Sequence, residues 1–208
     1  MIAQLSKRYI ATRPHKIWQR LLSYLLFEGR PATTKGKWFN PITFSALRYF
    51  SGTSPKQESE NPVFITGTGR SGSTILGKIL SMPKDIGFLN EPKAMWHVVC
   101  PECDLSGSYS KERVTFDMNE GDLRPGMSQK VKAIYSAFMR LTGSDVIVDK
   151  YPEMIYRTDF ISRIFDNPRF IFLYRNPWDT IISTAQWSDS NRKVVDGVTE
   201  DWWGVDNR

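Results

Sequence analysis

Cysteine and histidine are scarce in this chain of 208 residues, which contains only two of each. Two cysteines exclude a small scaffold stapled by several disulfides, and they are too few for a four-cysteine zinc site in one chain. No apolar run approaches the ~20 residues that a membrane-spanning helix needs. The hydrophobic, charged and aromatic fractions of 40%, 24% and 13% are those of a globular protein.

A secretion signal is also missing, because no apolar core of about 7–15 residues follows the early basic residues. We therefore predict a cytoplasmic location. The nearest apolar stretch, residues 17–27, is interrupted by Gln19, Arg20 and Ser23, and its apolar positions 17, 18, 21, 22, 25 and 26 recur with helical spacing. This spacing predicts an amphipathic helix that docks on the domain. A helix that lies on a membrane surface is the alternative.

Charge is distributed unevenly along the chain. Residues 1–60 carry ten Lys and Arg against three Asp and Glu, whereas residues 61–208 carry eighteen against nineteen. The net charge of +6 and the pI of about 9.3 therefore come from the N-terminal segment. Such a segment is either a solvated, weakly packed extension or a contact surface for an anionic partner. We expect no nucleic-acid partner, while peripheral membrane contact through residues 1–50 stays open.

The pattern of elements divides the chain into three parts. Residues 1–50 are predicted to be a basic helical extension, residues 51–62 a linker rich in Ser, Gly and Pro, and residues 63–208 the main domain. Short apolar strands alternate there with amphipathic helices. The predicted strands are at 63–66, 86–89, 146–148 and 170–174. The predicted helices are at 73–82, 131–141 and 153–165, with a fourth that begins at 177. Residues 100–128 are predicted to be irregular. This alternation predicts an α/β fold of three layers, a parallel sheet flanked by helices.

Ligands of parallel sheets bind beyond the carboxyl ends of the strands, which places the expected chemistry at residues 67–74, 90–91, 149–150 and 175. A glycine-punctuated loop follows the first strand, and its backbone N–H groups with the next helix N-terminus are suited to an anion. The spacing from Gly67 to Gly72 is that of a Walker A loop, but Ser73 stands where its lysine would be. The cation is Arg70 instead, which disfavours ATP or GTP chemistry. A tight turn without a ligand is the alternative.

Four motifs resemble those of sulfotransferases, most closely the carbohydrate-type enzymes and their bacterial relatives. Residues 69–74 resemble the family's 5′-phosphosulfate loop, and residues 169–179 with Ser183 resemble its 3′-phosphate site. Residues 88–92 and 148–152 resemble its segments after the second and third strands. The likeness extends from residue 63 to about 187. It implies the sulfotransferase fold, 3′-phosphoadenosine 5′-phosphosulfate (PAPS) as the donor co-substrate, and no metal.

The resemblance also implies roles for individual residues. The 5′-phosphosulfate would be bound by the loop residues Gly69, Arg70, Ser71, Gly72, Ser73 and Thr74. Arg175 and Ser183 would bind the 3′-phosphate, while Ile181 and Ile182 turn toward the core. An exposed ion pair between Arg175 and Asp179 is the alternative for that arginine.

Glu91 is predicted to be the catalytic base, because a glutamate has that role at this place in similar enzymes and a carboxylate is ionised at neutral pH. The alternatives are that Glu91 caps a helix beginning at Pro92, or that His97 is the base. Arg70 and Lys150 would stabilise charge during transfer, and a surface position is the alternative for Lys150.

Cys100 and Cys103 have the spacing of half a zinc site or of a redox pair. Without further ligands they are predicted to be ordinary thiols or a local disulfide.

The sequence thus predicts an enzyme that transfers a sulfuryl group from PAPS to a hydroxyl group, with a carbohydrate as the favoured acceptor and a lipid or small molecule also open. A P-loop kinase-like phosphotransferase and a non-catalytic nucleotide-binding remnant are the other hypotheses. Related enzymes continue beyond their 3′-phosphate element, so we expect a domain truncated at its C-terminus or closed by residues 1–50. No oligomeric state is predicted.

Overall fold

The structure, a computed structural model, describes residues 14–30, 36–56, 61–105, 109, 115–191, 193–195 and 198–200. Four parallel strands form the sheet in the order β2-β3-β1-β4. They are β1 (Val63–Gly67), β2 (Ile86–Asn90), β3 (Val146–Lys150) and β4 (Arg169–Leu173). The predicted parallel α/β fold is confirmed, and each strand lies within two residues of its expected bounds.

Seven α-helices are found in the described part of the chain, and they cover both faces of the sheet. They are α1 (Ile17–Leu22), α2 (Asn40–Ser51), α3 (Ser73–Leu80), α4 (Lys93–Val99), α5 (Met127–Thr142), α6 (Thr158–Ile164) and α7 (Pro177–Asn191). Shorter turns are a π-helix at Ser23–Glu28 and 3-10 helices at Pro14–Lys16, Lys37–Phe39, Pro101–Cys103, Glu120–Asp122 and Pro152–Arg157. The strands β5 (Lys193–Val195) and β6 (Val198–Glu200) form a separate antiparallel pair.

Two hydrophobic clusters, one on each face of the sheet, make the three layers. The smaller cluster lies under α3 and contains Ile65, Phe88 and Val148. The larger cluster joins the opposite face to α4, α5 and α6. Gly77 allows α3 to approach closely, because a Cβ at this position would lie 2.4 Å from the Phe88 ring.

The helix expected at 153–165 is divided into a 3-10 helix, Pro152–Arg157, and α6. Arg157 at the junction leaves helical geometry with φ −136° and ψ 24°. Its fully buried guanidinium donates from Nη2 to the carbonyl of Thr115, at 2.7 Å. The spacing of apolar residues is the same for one continuous helix as for the 3-10 helix followed by α6. It therefore gives no sign that Arg157 interrupts the helix to reach Thr115.

The N-terminal segment packs on the domain, as its helical spacing predicts, and several of its polar side chains are buried in the contact. Phe27 and Leu47 belong to the larger core cluster, so the described part of residues 1–50 is not a solvated extension. The interrupting polar residues of the first helix are buried, whereas Trp18 and Leu25 are exposed. The docking face therefore includes these polar residues as well as Leu26, which packs against the core cluster. Within the described ranges, no helix combines the length and hydropathy required to cross a bilayer.

The buried polar side chains of this segment form hydrogen bonds with backbone carbonyl groups at the free edge of the sheet. Strand β2 is an edge strand, and α1 with the following π-helix runs beside it. Three side chains donate to backbone carbonyls of residues 84–88, over distances of 2.7–3.0 Å; they are Lys16, Gln19 and Arg20. Unpaired edge groups otherwise attract other strands, so these contacts protect the edge.

One buried ion pair organises these contacts. Arg20 and Glu28, exposed by 3% and 1%, make two hydrogen bonds of 2.8 and 3.1 Å in a fork. Ser23 donates a third hydrogen bond to the same carboxylate at 2.6 Å. The pKa of Glu28 is lowered: burial would raise it, but the charge and hydrogen bond of Arg20 more than offset this.

We expect Arg20→Ala to lower the free energy of unfolding by about 3–5 kcal/mol, because it leaves the Glu28 carboxylate buried without its counter-charge. Arg163→Ala is the matched control, since Arg163 pairs with Glu120 at an exposed position, and its effect should stay below about 1 kcal/mol. Urea titration of both variants measures the difference. Equal losses would contradict a special role for the buried pair.

Candidate functional site

All four expected segments meet at the carboxyl edge of the sheet. Because the strands are parallel, the loop after β1, Glu91 after β2, Lys150 at the end of β3 and Arg175 after β4 share this edge. Strand β1 lies between β3 and β4, so the loop is flanked by Lys150 on one side and Arg175 on the other.

The loop of residues 67–72 is held in a conformation that favours an anion. Gly67 has φ +131°, and a Cβ there would lie 2.0 Å from the carbonyl oxygen of Leu173. Arg70 and Gly72 also have positive φ, at +63° and +99°. Within the described part of the chain, none of the backbone N–H groups of residues 69–72 donates to a protein acceptor. These free donors at a helix N-terminus are the groups that a phosphate or sulfate binds.

Arg70 connects the loop to α7. Its Nε donates to Ser183 Oγ at 3.2 Å, and its carbonyl accepts from Arg175 Nη1 at 3.5 Å. The residues expected at the two ends of the donor therefore lie next to one another. Arg175 also forms the exposed pair with Asp179, at 3.8 Å, so the two expectations for this arginine are compatible.

Helix α7 begins as predicted, with a backbone N–H bonded to the Asn176 side chain and Pro177 at its first position. The expectation that Ile181 and Ile182 face the core was wrong. They are 59% and 55% exposed. The helix is anchored through its polar side instead, by the contact between Ser183 and the loop.

Glu91 and Lys150 form an ion pair between the ends of β2 and β3. Glu91 leaves the strand with φ +55°, and its backbone N–H donates to the carbonyl of Lys150 at 2.7 Å. Helix α4 begins two residues later, with Pro92 at its N-cap, and the Lys93 N–H donates to the Glu91 carbonyl at 2.7 Å. Burial would raise the pKa of Glu91, but Lys150 and Lys93 more than offset this and hold it below its ordinary value.

Lys150 is only 2% exposed, which excludes the surface position considered for it. The Glu91 side chain, by contrast, is 40% exposed. A second pair, between Lys93 and Glu153 at 3.1 Å, lies beside it. The site thus presents one accessible carboxylate backed by a buried ammonium.

The N-terminal segment supports this arrangement, which sequence reasoning missed. Glu28 accepts the backbone N–H of Asn90 at 2.8 Å, directly before Glu91. Arg30 donates to Glu28 at 3.2 Å and is close enough to Glu91 to lower the pKa of that carboxyl. No spacing rule connects Glu28 with Asn90, because 62 residues separate them.

His97, the alternative base, lies among aromatic rings. Its ring centroid is 5.9 Å from that of Phe44 and 5.4 Å from that of Tyr109. No hydrogen bond or ion pair joins His97 to Glu91 in the described part of the structure. His97 therefore packs against the rings of Phe44 and Tyr109 and is not part of the Glu91–Lys150 ion pair.

The two cysteines are free and buried. A hydrogen bond from Cys103 lowers the pKa of Cys100, and the same contact raises the pKa of Cys103 well above its ordinary value. Among the described residues, no group of three or more His, Cys, Asp or Glu side chains is arranged to hold a metal ion.

A glycine-rich loop after β1, an arginine after β4 and a carboxylate after β2 lie together at one edge of a parallel sheet. The model of the sulfotransferase family matches residues 62–202. The chain belongs to the sulfotransferase family, and its class of chemistry is the transfer of a sulfuryl group. No curated protein and no solved structure gives a significant match.

A buried carboxyl group lies directly behind Lys150. Asp149 Oδ2 accepts from Trp96 Nε1 at 3.1 Å and from the Tyr135 hydroxyl at 2.6 Å. Its Oδ1 is buried and has no hydrogen-bond partner among the residues that the structure describes. Burial raises the pKa of Asp149 to about 7, although both hydrogen bonds oppose the increase. The group therefore keeps its proton through the mildly acidic range in the folded state.

We expect this proton to make stability depend on pH. The folded state holds it up to about pH 7, whereas the unfolded chain releases it near the ordinary aspartate value of about 3.9. The contribution of Asp149 to the free energy of unfolding should therefore fall as pH rises from about 4 to 7. Urea unfolding of wild type and Asp149→Asn at pH 4.5 and pH 8 measures it. A difference between the two proteins that is the same at both pH values would contradict it, and Asp166→Asn, at an exposed position, is the control.

Proposed function

We propose that this protein transfers the sulfuryl group of PAPS to an acceptor hydroxyl, with a carbohydrate as the acceptor. The observation that carries the proposal is the meeting of two anion-binding elements and one ionised carboxylate at a single sheet edge. The family assignment supplies the sulfuryl chemistry, and the donor and acceptor are inferred from the residues at that edge.

The donor requires two anion sites, because it is charged at both its 5′ and 3′ positions. The free backbone N–H groups of residues 69–72, with Ser73 and Thr74 at the start of α3, fit the 5′-phosphosulfate. Arg175 and Ser183 fit the 3′-phosphate, and their contacts with Arg70 place them beside the loop. An arginine binds a phosphate through a charged fork of donors, which suits this position.

Glu91 is the base in this proposal. Its accessible carboxylate takes the proton of the acceptor hydroxyl as the acceptor oxygen forms a bond to sulfur. The bond between sulfur and the bridging oxygen of the donor breaks at the same time. The bridging oxygen keeps the electron pair and leaves on adenosine 3′,5′-bisphosphate.

Charge moves toward the leaving oxygen during transfer, so cations at the loop favour the reaction. Arg70 and the N-terminus of α3 lie on the donor side. Lys150 lies between the loop and Glu91, bonded to Glu91 and carried by the strand next to β1. It keeps Glu91 ionised and places a positive charge next to the path of the sulfuryl group.

We expect Glu91→Gln to reduce the sulfate transfer rate by about 10²- to 10⁴-fold, the usual loss for a positioned base. Binding of adenosine 3′,5′-bisphosphate should stay within about two-fold, because Glu91 does not contact the nucleotide in this scheme. Transfer of labelled sulfate to a panel of glycans measures the rate, and calorimetry measures the binding. Glu153→Gln, a nearby carboxylate paired with Lys93, is the control and should retain turnover. Unchanged turnover in the Glu91 variant would exclude it as the base.

Arg175→Ala should weaken adenosine 3′,5′-bisphosphate about ten-fold or more, since a hydrogen-bonded charge pair is lost. Adenosine 5′-phosphate lacks the second phosphate and should be nearly unaffected. Arg169→Ala is the matched control, because Arg169 is exposed at the opposite end of β4. If both nucleotides lost the same affinity, Arg175 would not be a ligand of the 3′-phosphate.

A further inference from the structure

The N-terminal segment exposes large apolar side chains on the side that faces away from the domain. Trp38 is 79% exposed and Trp18 is 63% exposed. Leu25, Ile42 and Tyr49 are exposed as well, and we call these five side chains the outer face. Single exposed apolar residues are normal on a protein surface, but five large ones on two neighbouring helical elements mark a contact surface.

The members of the outer face lie close together because of the way α2 is anchored. Thr43 turns inward, and its Oγ1 donates to the carbonyl of Leu25 in the π-helix at 2.7 Å. Ile42, the residue before Thr43, is therefore a neighbour of Leu25. Tyr49 follows Ile42 by seven residues, about two helical turns, and Trp38 precedes it by four. All three thus point to the same side of α2.

Trp18 and Leu25 lie on the outside of the helical run that lines the edge of β2. The inside of this run is occupied by polar side chains, since Gln19 and Arg20 donate to carbonyls at that edge. A helix of this kind has its polar residues buried and its tryptophan in contact with solvent. Leaving that apolar area in water costs free energy, which an apolar contact on the outside would recover.

Charge around the outer face is of one sign. In the described part of residues 14–56, the exposed ionised side chains are Lys37, Arg48 and Lys56. The single carboxylate of this part, Glu28, is buried. Lys37 and Arg48 each directly precede an aromatic member of the outer face. Cations therefore border the apolar side chains, and no exposed described carboxylate of this segment opposes them.

These two properties together indicate the chemistry of the partner. Tryptophan and tyrosine favour the boundary between lipid headgroups and acyl chains, and Lys and Arg bind anionic headgroups. A soluble polyanion would use the cations but would gain nothing from Leu25 and Ile42. A second copy of the chain would meet the face with an identical one, so that the same cations would oppose each other.

We propose that the outer face docks on the surface of an anionic lipid bilayer. Its apolar side chains enter the boundary region, and Lys37 and Arg48 contact the headgroups. The contact is independent of the donor and the acceptor of the proposed function. Because the inner side of the same helical run lines β2, the bound protein meets the bilayer beside the edge strand that ends next to Glu91.

Flotation of the full chain with lipid vesicles tests the proposal. Phosphatidylcholine vesicles that contain about one-third phosphatidylserine should bind it at least about ten-fold more strongly than pure phosphatidylcholine, and added salt should reduce the difference. Trp38→Ala combined with Ile42→Ala should weaken binding to the anionic vesicles about ten-fold or more, because less apolar area leaves water. Lys37→Gln combined with Arg48→Gln should weaken it about 5- to 30-fold, about five-fold for each cation.

Matched controls lie outside the N-terminal segment. Trp178 on α7 is 74% exposed, and α7 follows β4 at the other edge of the sheet. Trp178→Ala should leave vesicle binding within about two-fold. Arg163→Gln combined with Arg169→Gln removes the same net charge from exposed positions on α6 and β4. It should also have an effect of no more than about two-fold, since screening limits the reach of exposed charges.

Each outcome supports or overturns the proposal. Equal binding to anionic and neutral vesicles, or binding to neither, would overturn it. If the Lys37 and Arg48 variant loses vesicle binding while a folded Trp38 and Ile42 variant keeps it, the face attracts polyanions in general and the proposal fails. If the Trp38 and Ile42 variant instead turns a dimer into a monomer in sedimentation velocity, and vesicles bind neither form, the face joins two copies of the chain. Thermal melting shows whether each variant is folded.

Discussion

The ion pair between Glu91 and Lys150 is the interaction on which the site depends. Lys150 is buried at the end of a central strand, and a buried ammonium requires a counter-charge close to it. Glu91 supplies that charge only because its backbone turns into a left-handed conformation at the end of β2. The two groups therefore fix each other, and the carboxylate stays ionised while part of it remains open to a reactant.

The N-terminal segment belongs to this arrangement rather than to the periphery of the protein. Its buried ion pair satisfies the open edge of β2, and the same Glu28 carboxylate binds the backbone of Asn90, next to Glu91. An edge strand that ends in a catalytic candidate must be prevented from moving or pairing elsewhere. Polar side chains, not the apolar side of the first helix, provide this support.

The opposite end of the cleft is organised around Arg70. The same residue meets Ser183, Trp187 and, through its carbonyl, Arg175. The loop, the end of β4 and helix α7 are thereby held together at the carboxyl edge of the sheet. The strand order separates Arg175 from the Glu91–Lys150 pair, because β1 and its loop lie between β4 and β3.

The strands, the loop and the four segments at the sheet edge are determined by the sequence itself, because buried parallel strands are short apolar runs ended by glycine, proline and polar residues. The family motifs likewise identify Arg70, Glu91, Lys150, Arg175 and Ser183 as candidates. Only the tertiary structure decides how they are partnered. Arg20 is buried against a carbonyl 68 residues away, Lys150 finds its counter-charge 59 residues away, and Arg70 meets Ser183 across 113 residues. Burial of a charged side chain depends on a partner of this kind, and local periodicity contains no information about groups so distant along the chain.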